Sequence, residues 1–393
     1  MTVRDPSMSR PMTKPVSVLI ALAAALAIAT MVRAGHELPV YPSYYPHEIA
    51  IETMPPERAA RLLLESKIQA YVGPEPRFAG ELPTSIRAVE SLGSFIIVLL
   101  NPALPAPTYA ASTCGAVETI VRDMAGKPGF VFHPYPVTPF HGDYLHYADL
   151  AEATKTRFLR PAAETSAAPL VNLRVKVGSA LKNLVRPEWI APGPAWDVAI
   201  EEIGAAELVA ASMTSVNGWL GPPWMKTGWF HAERILADAI EDGDARARAD
   251  AAIERLEASD YRDSVERINL QRELVTTLTG SCRKLVAGYT VKRQYFSVEF
   301  TDGIENIGYD SIVGLNSPMF VRTAKLKNFP WNGWLMLGID KAPDAAWNPI
   351  AGFDDGFGRL LWSAVGDPAL LPAPYDSGWM LNRFSDVQSN SRR

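Results

Sequence analysis

The stretch HEIAIETMPPERAARLLLESKIQAYVGP, residues 47–74, decides how the first part of the chain folds. His47 to Ile51 alternates apolar and polar residues with period two, the pattern of a strand with one covered face. Pro55-Pro56 stops that pattern and opens a helical one that carries Ala59, Leu62, Leu63 and Ile68 on one face. Ile68 to Val72 reads as a second short strand, ended by Gly73-Pro74. Strand, helix, strand in this order predicts parallel pairing.

The same rhythm continues outward. Phe95 to Leu100 is an unbroken apolar run between Gly93 and Asn101-Pro102, as expected for a strand covered on both faces. Ala116 to Met124 predicts a helix, and Gly129 to Phe132 a strand running into His133. Thr138-Pro139 has the form of a helix start, because Thr caps well and Pro at the first helical position loses no hydrogen bond. Phe140, Tyr144, Tyr147 and Ala151 would then be its buried stripe. Residues 35–160 are accordingly expected to form an α/β ligand-binding domain with a mostly parallel sheet.

Composition then changes three times. Residues 161–195 are rich in Ala, Pro and small polar residues and read as a linker or crossover. Residues 196–292 are strongly helical in pattern, with helices expected over 206–216, 231–240, 244–258 and 261–285. Residues 293–393 form a loop-rich, aromatic α+β region packed on the others, with short strands at 295–300 and 334–339 and five of the ten tryptophans, Trp331, Trp334, Trp347, Trp362 and Trp379. Large aromatic side chains pinning loops explain this region more simply than a carbohydrate platform.

Residues 1–34 read as a secretory signal peptide. Arg4, Arg10 and Lys14 precede an Ala-rich apolar run from Val16 to Val32, and Val32-Arg33-Ala34 has the spacing of a cleavage site. The run is shorter than the ~20 residues of a usual spanning helix, which favours cleavage after Ala34 over the alternative, an inner-membrane anchor formed by residues 16–32. The expected location is periplasmic or extracellular. Cys114 and Cys282 suit such an oxidising compartment, where they would pair and tie the first region to the middle one. Two buried free thiols are the other reading.

The 393 residues are 48% hydrophobic and 21% charged, a balance that excludes a disordered chain and a polytopic membrane protein. The net charge of −5 becomes −8 once Arg4, Arg10, Lys14, Arg33 and Asp5 leave with the leader. With no basic cluster interleaved with aromatics, nucleic acid is excluded as a partner. Membrane contact is expected only if the N-terminal helix is uncleaved.

Five of the six histidines, His36, His47, His133, His141 and His146, precede residue 147. If His133 ends a strand and Thr138 to His141 opens a helix, free amides and the positive helix end face a crevice that suits an anion. The expected ligand-binding residues are His133, Tyr135, Thr138 and His141, with aromatic help from Trp224 or Trp229. A metal reading uses His47, His133, His141 and His146 for copper or zinc, since imidazole suits both ions. On a helix His141 and His146 would point about 140° apart and could not share an ion. Asp143, His146 and Asp149, spaced by three, would share one solvated face. His231 reads as a satisfied, partly buried imidazole at a helix start.

Sequence signatures of nucleophilic catalysis are missing. Ser281-Cys282-Arg283-Lys284, Ser215-Val216-Asn217 and Lys226-Thr227-Gly228 match the three signatures of penicillin-binding enzymes, but in the wrong order. There is no G-x-S-x-G, P-loop, G-x-G-x-x-G or H-E-x-x-H. This points to a binder more than an enzyme.

The run Glu48 to Val72, with its helix ending Leu62-Leu63-Leu64-Glu65-Ser66-Lys67 and the following Ile68-Gln69-Ala70-Tyr71-Val72-Gly73, resembles the opening lobe of type II periplasmic solute-binding proteins. The resemblance covers about a quarter of the chain and implies a ligand cleft after this lobe. It stops where a helical block and an aromatic tail replace the family's second α/β lobe. The function expected from the sequence is an exported binding protein for a small, anionic ligand. The alternatives are a histidine-ligated copper or zinc protein and a non-catalytic subunit of a cell-envelope complex with an envelope protein partner.

Overall fold

Alternating residues form β1 (Glu48–Thr53), and the proline pair opens α1 (Pro56–Leu64), which buries Ala59, Ala60, Leu62 and Leu63. β2 (Ala70–Val72), β3 (Ile86–Leu100), α2 (Ala111–Asp123), β4 (Val131–Phe132) and α3 (Ala148–Leu159) follow. Next come β5 (Val175–Val177), β6 (Val198–Gly204) and four helices, α4 (Ala205–Ser212), α5 (Gly228–Leu236), α6 (Gly243–Glu257) and α7 (Ser264–Leu278). The chain continues through β7 (Lys284–Ser297), β8 (Ile304–Asn306), α8 (Pro318–Thr323), β9 (Lys325–Leu326) and β10 (Trp334–Ile339). α9 (Gly356–Val365), β11 (Leu370–Pro372) and β12 (Trp379–Leu381) complete it. This computed structural model describes residues 46, 48–103, 111–160, 173–212, 223–327, 333–343, 355–366 and 369–382, all within the unit Tyr44–Arg393. The expected leader, the anchor alternative over 16–32, His36 and His47 lie outside these residues.

One eight-stranded sheet, in the order β1-β10-β2-β7-β3-β6-β5 with β4 beside β7, draws strands from every compositional stretch, including 161–195, expected as a linker, which supplies β5. The predicted parallel pairing holds at the two flanks, where β1 and β2 both lie parallel to β10 and β5 lies parallel to β6. Between them β2, β7, β3 and β6 pair antiparallel, as does β4 with β7. β1 and β2 are therefore not neighbours, because β10 runs between them. β7 also corrects the helix expected over 261–285. α7 ends at Leu278, where β-branched Thr279 and Gly280 lower helix propensity, and the chain is extended again from Lys284.

β3 is covered on both faces, as its apolar run predicts. Phe95 and Ile97 enter a core with α4 to α7, while Ile96, Val98 and Leu100 enter a second core with Val117, Ile120 and Val121 of α2. A third core on that second face gathers Val89, Phe296, Leu335 and Leu337 with α8. Cys114 of α2 and Cys282, just before β7, are joined by a disulfide with a Cα–Cα separation of 5.5 Å. Among the described residues no helix is long and apolar enough to cross a membrane.

Candidate functional site

β4 places His133 at a strand end, as predicted, with its amide donating to the Ala287 carbonyl at 3.1 Å. The next step differs from expectation. Thr138-Pro139 does not open a helix. Residues 138 to 147 form successive tight turns, with a 3-10 turn at Tyr144–His146, and α3 begins only at Ala148. The backbone bonds here join residues three apart, His141 to Thr138, Tyr144 to His141 and Tyr147 to Tyr144, and Gly142, a poor helix former, sits among them. The Thr138 amide itself donates to Nδ1 of His141 at 2.9 Å. The amide expected to face a ligand is thus used inside the chain.

The imidazoles are buried and engaged. His133 Nε2 donates to the Val137 carbonyl at 2.8 Å. Because Nδ1 of His141 accepts from an amide, its proton sits on Nε2, which donates to Nδ1 of His231 at 3.0 Å. Burial lowers the pKa of His133, sets that of His141 well below the usual value, and lowers that of His231 to about 4. This is a neutral pair braced by Phe95, which lies against both rings. Trp224 stacks on Trp229 with centroids 5.6 Å apart, and Trp229 is fully within the helical core. His231, read from the sequence as satisfied and partly buried, is 0% exposed with no hydrogen-bond partner for Nε2 among the described residues, and its Nδ1 pairs with His141, ninety residues away in the chain.

The metal set does not come together. Among the described residues no three His, Cys, Asp or Glu side chains are placed to share an ion, and His47 lies outside them. Asp143 is not on a solvated helical face with His146 and Asp149. It is buried, and its carboxylate accepts from the Gly228 amide at 3.0 and 3.2 Å, at the first turn of α5. Burial pushes its pKa up to about 6 against the lowering effect of that hydrogen bond.

A different polar cluster lies where this segment meets α7. Tyr135 and Tyr147 are 2% and 0% exposed, and neither hydroxyl has a hydrogen-bond partner among the described residues. Nδ1 of His146 and Nε of Arg267 are likewise buried and unpartnered. Arg272 holds Asp149 through two bonds of 2.7 Å and also donates to the His146 carbonyl. Burial raises the pKa of Tyr147, Asp143 and Tyr135 raise it further, and the guanidiniums of Arg272 and Arg267 oppose them. These side chains are therefore within electrostatic reach of one another. From the sequence Tyr135 was singled out as ligand-binding, His146 as a metal ligand and Tyr147 as part of a buried stripe, but not the two arginines. Arg267 and Arg272 sit on a helix whose arginines resemble a solvated face in pattern.

A cleft of about 80 Å³ lies beside Pro134 and Pro136, lined also by Thr154, Arg157, Phe158 and Lys284. It adjoins the segment next to the prolines, away from Thr138.

No protein-family model and no curated protein matches the chain. Solved structures similar to it are substrate-binding proteins, the class named by the first-lobe resemblance. They include the oligopeptide-binding protein AppA from Bacillus subtilis in complex with a nonapeptide, at 10% identity over 69% of this chain and 58% of that one, TM-score 0.36. The ABC transporter substrate-binding protein CtaP from Listeria monocytogenes gives the same four figures. NikZ from Campylobacter jejuni, in complex with Ni(L-His), is 10% identical over 64% of this chain and 56% of that one, TM-score 0.33. The chain spans rather more than half the length of these proteins.

Proposed function

We propose that the chain is an exported binding protein for a small anionic ligand, held where the turns after His133 meet α7. The observation that carries this reading is the pair of buried, unpartnered tyrosyl hydroxyls at Tyr135 and Tyr147 beside Arg267 and Arg272. Leaving a buried hydroxyl unpaired costs about 1–3 kcal/mol. An anionic oxygen accepting from both hydroxyls would offset that cost, and the guanidiniums supply the opposite charge. His133 and His141 act at one remove, by fixing the turns that carry Tyr135. Cleavage after Ala34 and a periplasmic or extracellular location belong to the same proposal, and the Cys114–Cys282 disulfide supports them, since such bonds persist in oxidising compartments.

The test is a thermal-shift screen over phosphate and sulfate, with Tyr135→Phe, Tyr147→Phe and Arg272→Met beside the wild type. Without anion, the two Phe variants should melt at or above the wild type, because each loses an unsatisfied buried group. With the stabilising anion all three should lose most of the shift. Phe variants that melt lower and keep the full shift would overturn the proposal.

A further inference from the structure

The opposite face of the sheet carries a polar notch between two apolar cores. Along β7, Phe296 belongs to the core with α8 and Ala287 to the core with α2. The residues on the same face between them are Gln294, Lys292 and Thr290. On β3 the matching positions are Ser91, directly opposite Lys292, and Val89, opposite Gln294. Side chains directly opposite in an antiparallel pair stand on one face at close range, so Ser91, Lys292 and Gln294 are neighbours.

Three features make this notch a built arrangement. First, the register between β3 and β7 shifts between Leu92 and Phe95, and Gly93 lies against Thr290, where a Cβ would come within 2.5 Å of the Thr290 hydroxyl oxygen. Bulges of this kind re-aim side chains and gather beside functional sites. Second, the loop over the notch turns at Gly314 with φ +67°, and a Cβ there would meet Gln294 Oε1 at 2.0 Å and Ser91 Oγ at 3.0 Å. The Ser91 and Gln294 side chains therefore converge on one spot. Third, Gln294 Oε1 accepts from the Leu315 amide at 2.7 Å, which fixes the amide and leaves Nε2 as a donor.

Thr290 is engaged by the Ser94 amide and hydroxyl at 3.0 and 2.6 Å, but two of its polar neighbours have no counterpart. Ser91 and Gln294 are each 1% exposed, and neither Ser91 Oγ nor Gln294 Nε2 has a partner among the described residues. The carboxylates nearest along these elements are engaged, Glu202 by the Ser94 hydroxyl that pairs with Thr290, Asp310 by Lys226, and Glu90 by Arg293 on the other face. Lys292 is partly buried, and its pKa is lowered by burial alone. Burying part of a charge carries a cost that an opposite charge would offset, and the two buried donors Ser91 Oγ and Gln294 Nε2 add to it.

We propose that Lys292, Ser91 and Gln294 bind the carboxylate group of a small molecule, with the ammonium supplying charge and the hydroxyl and amide N–H supplying direction. A carboxylate presents the acceptors that these three donors need and neutralises the one charge among them. The site stands on the face of the sheet away from Tyr135 and does not depend on the ligand proposed there.

Formate and acetate, titrated against chloride at constant ionic strength, are the probes. The wild type should show a saturable rise in melting temperature that Lys292→Met abolishes. Ser91→Ala, a milder change, should weaken binding about five- to tenfold, the loss of one hydrogen bond beside a charge. Without carboxylate, Lys292→Met should melt at or above the wild type, since it removes an uncompensated charge. Arg272→Met should keep the response. Equal shifts in the wild type and in both notch variants would overturn the proposal, as would a Lys292→Met protein that melts far below the wild type. A shift lost in Arg272→Met but kept in Lys292→Met would assign the carboxylate to the Tyr135 cluster.

Discussion

Lowering the pH from 7 to 5 tests the neutral histidine pair directly. His231 has an ordinary pKa of 6.5 when unfolded and about 4 in the fold, because burial disfavours its charged form. The unfolded chain therefore binds a proton that the folded chain refuses, and the stability present above 6.5 is lost as the pH falls towards 4. For this one residue the loss between pH 7 and pH 5 is about 2 kcal/mol. His141, set well below its usual value, acts in the same direction. Asp143 opposes both. Its pKa is raised from 3.8 to about 6, so protonating the folded form recovers about 1 kcal/mol over the same interval. Urea unfolding curves at the two pH values, for the wild type and His231→Leu, isolate the histidine because Asp143 is common to both. The variant should be less stable at pH 7, since Nε2 of His141 loses its acceptor, but its loss on acidification should be smaller by about 2 kcal/mol. Equal losses in the two proteins would refute the neutral-pair reasoning.

Two further outcomes are expected. Asp310→Ala should cost about 3–5 kcal/mol in denaturant unfolding, because it strands Lys226, whose ammonium lies 2.6 Å from Asp310 with the two side chains only 13% and 3% exposed. Reducing Cys114–Cys282, which spans 168 residues, should lower stability by about 2–4 kcal/mol, read as a fall in the denaturant midpoint with dithiothreitol.

What the sequence made legible was local. β1, α1, β2 and the doubly covered half of β3 follow from periodicity and proline placement within a few residues of one another. β10 was legible as a strand, to the residue, but not its position between β1 and β2, because no local pattern tells a strand which partner waits some 260 residues away. The helix expected from Thr138 failed for a definable reason, since Gly142 and the buried Asp143, whose carboxylate is tied to the Gly228 amide, break the segment into short turns. Tyr135 was found because it lies in the histidine-rich run. Tyr147 was placed on a buried stripe, which is where it is, but its unpaired hydroxyl is a tertiary fact. Lys292 left one trace, a charged residue on the inward beat of an alternating strand, beside Ser91 on another.

The position of β10 also sets the order of events in biosynthesis. β1 forms one border of the sheet, and its partner there begins at Trp334. A growing chain must keep residues 48–53 waiting, unpaired and partly apolar, until most of its length has been made. Pairings over such spans are slow to find. Truncation just before residue 334 would release a polypeptide in which β1 has no partner and β2 has a bare edge, prone to self-association instead of to rest in a smaller fold.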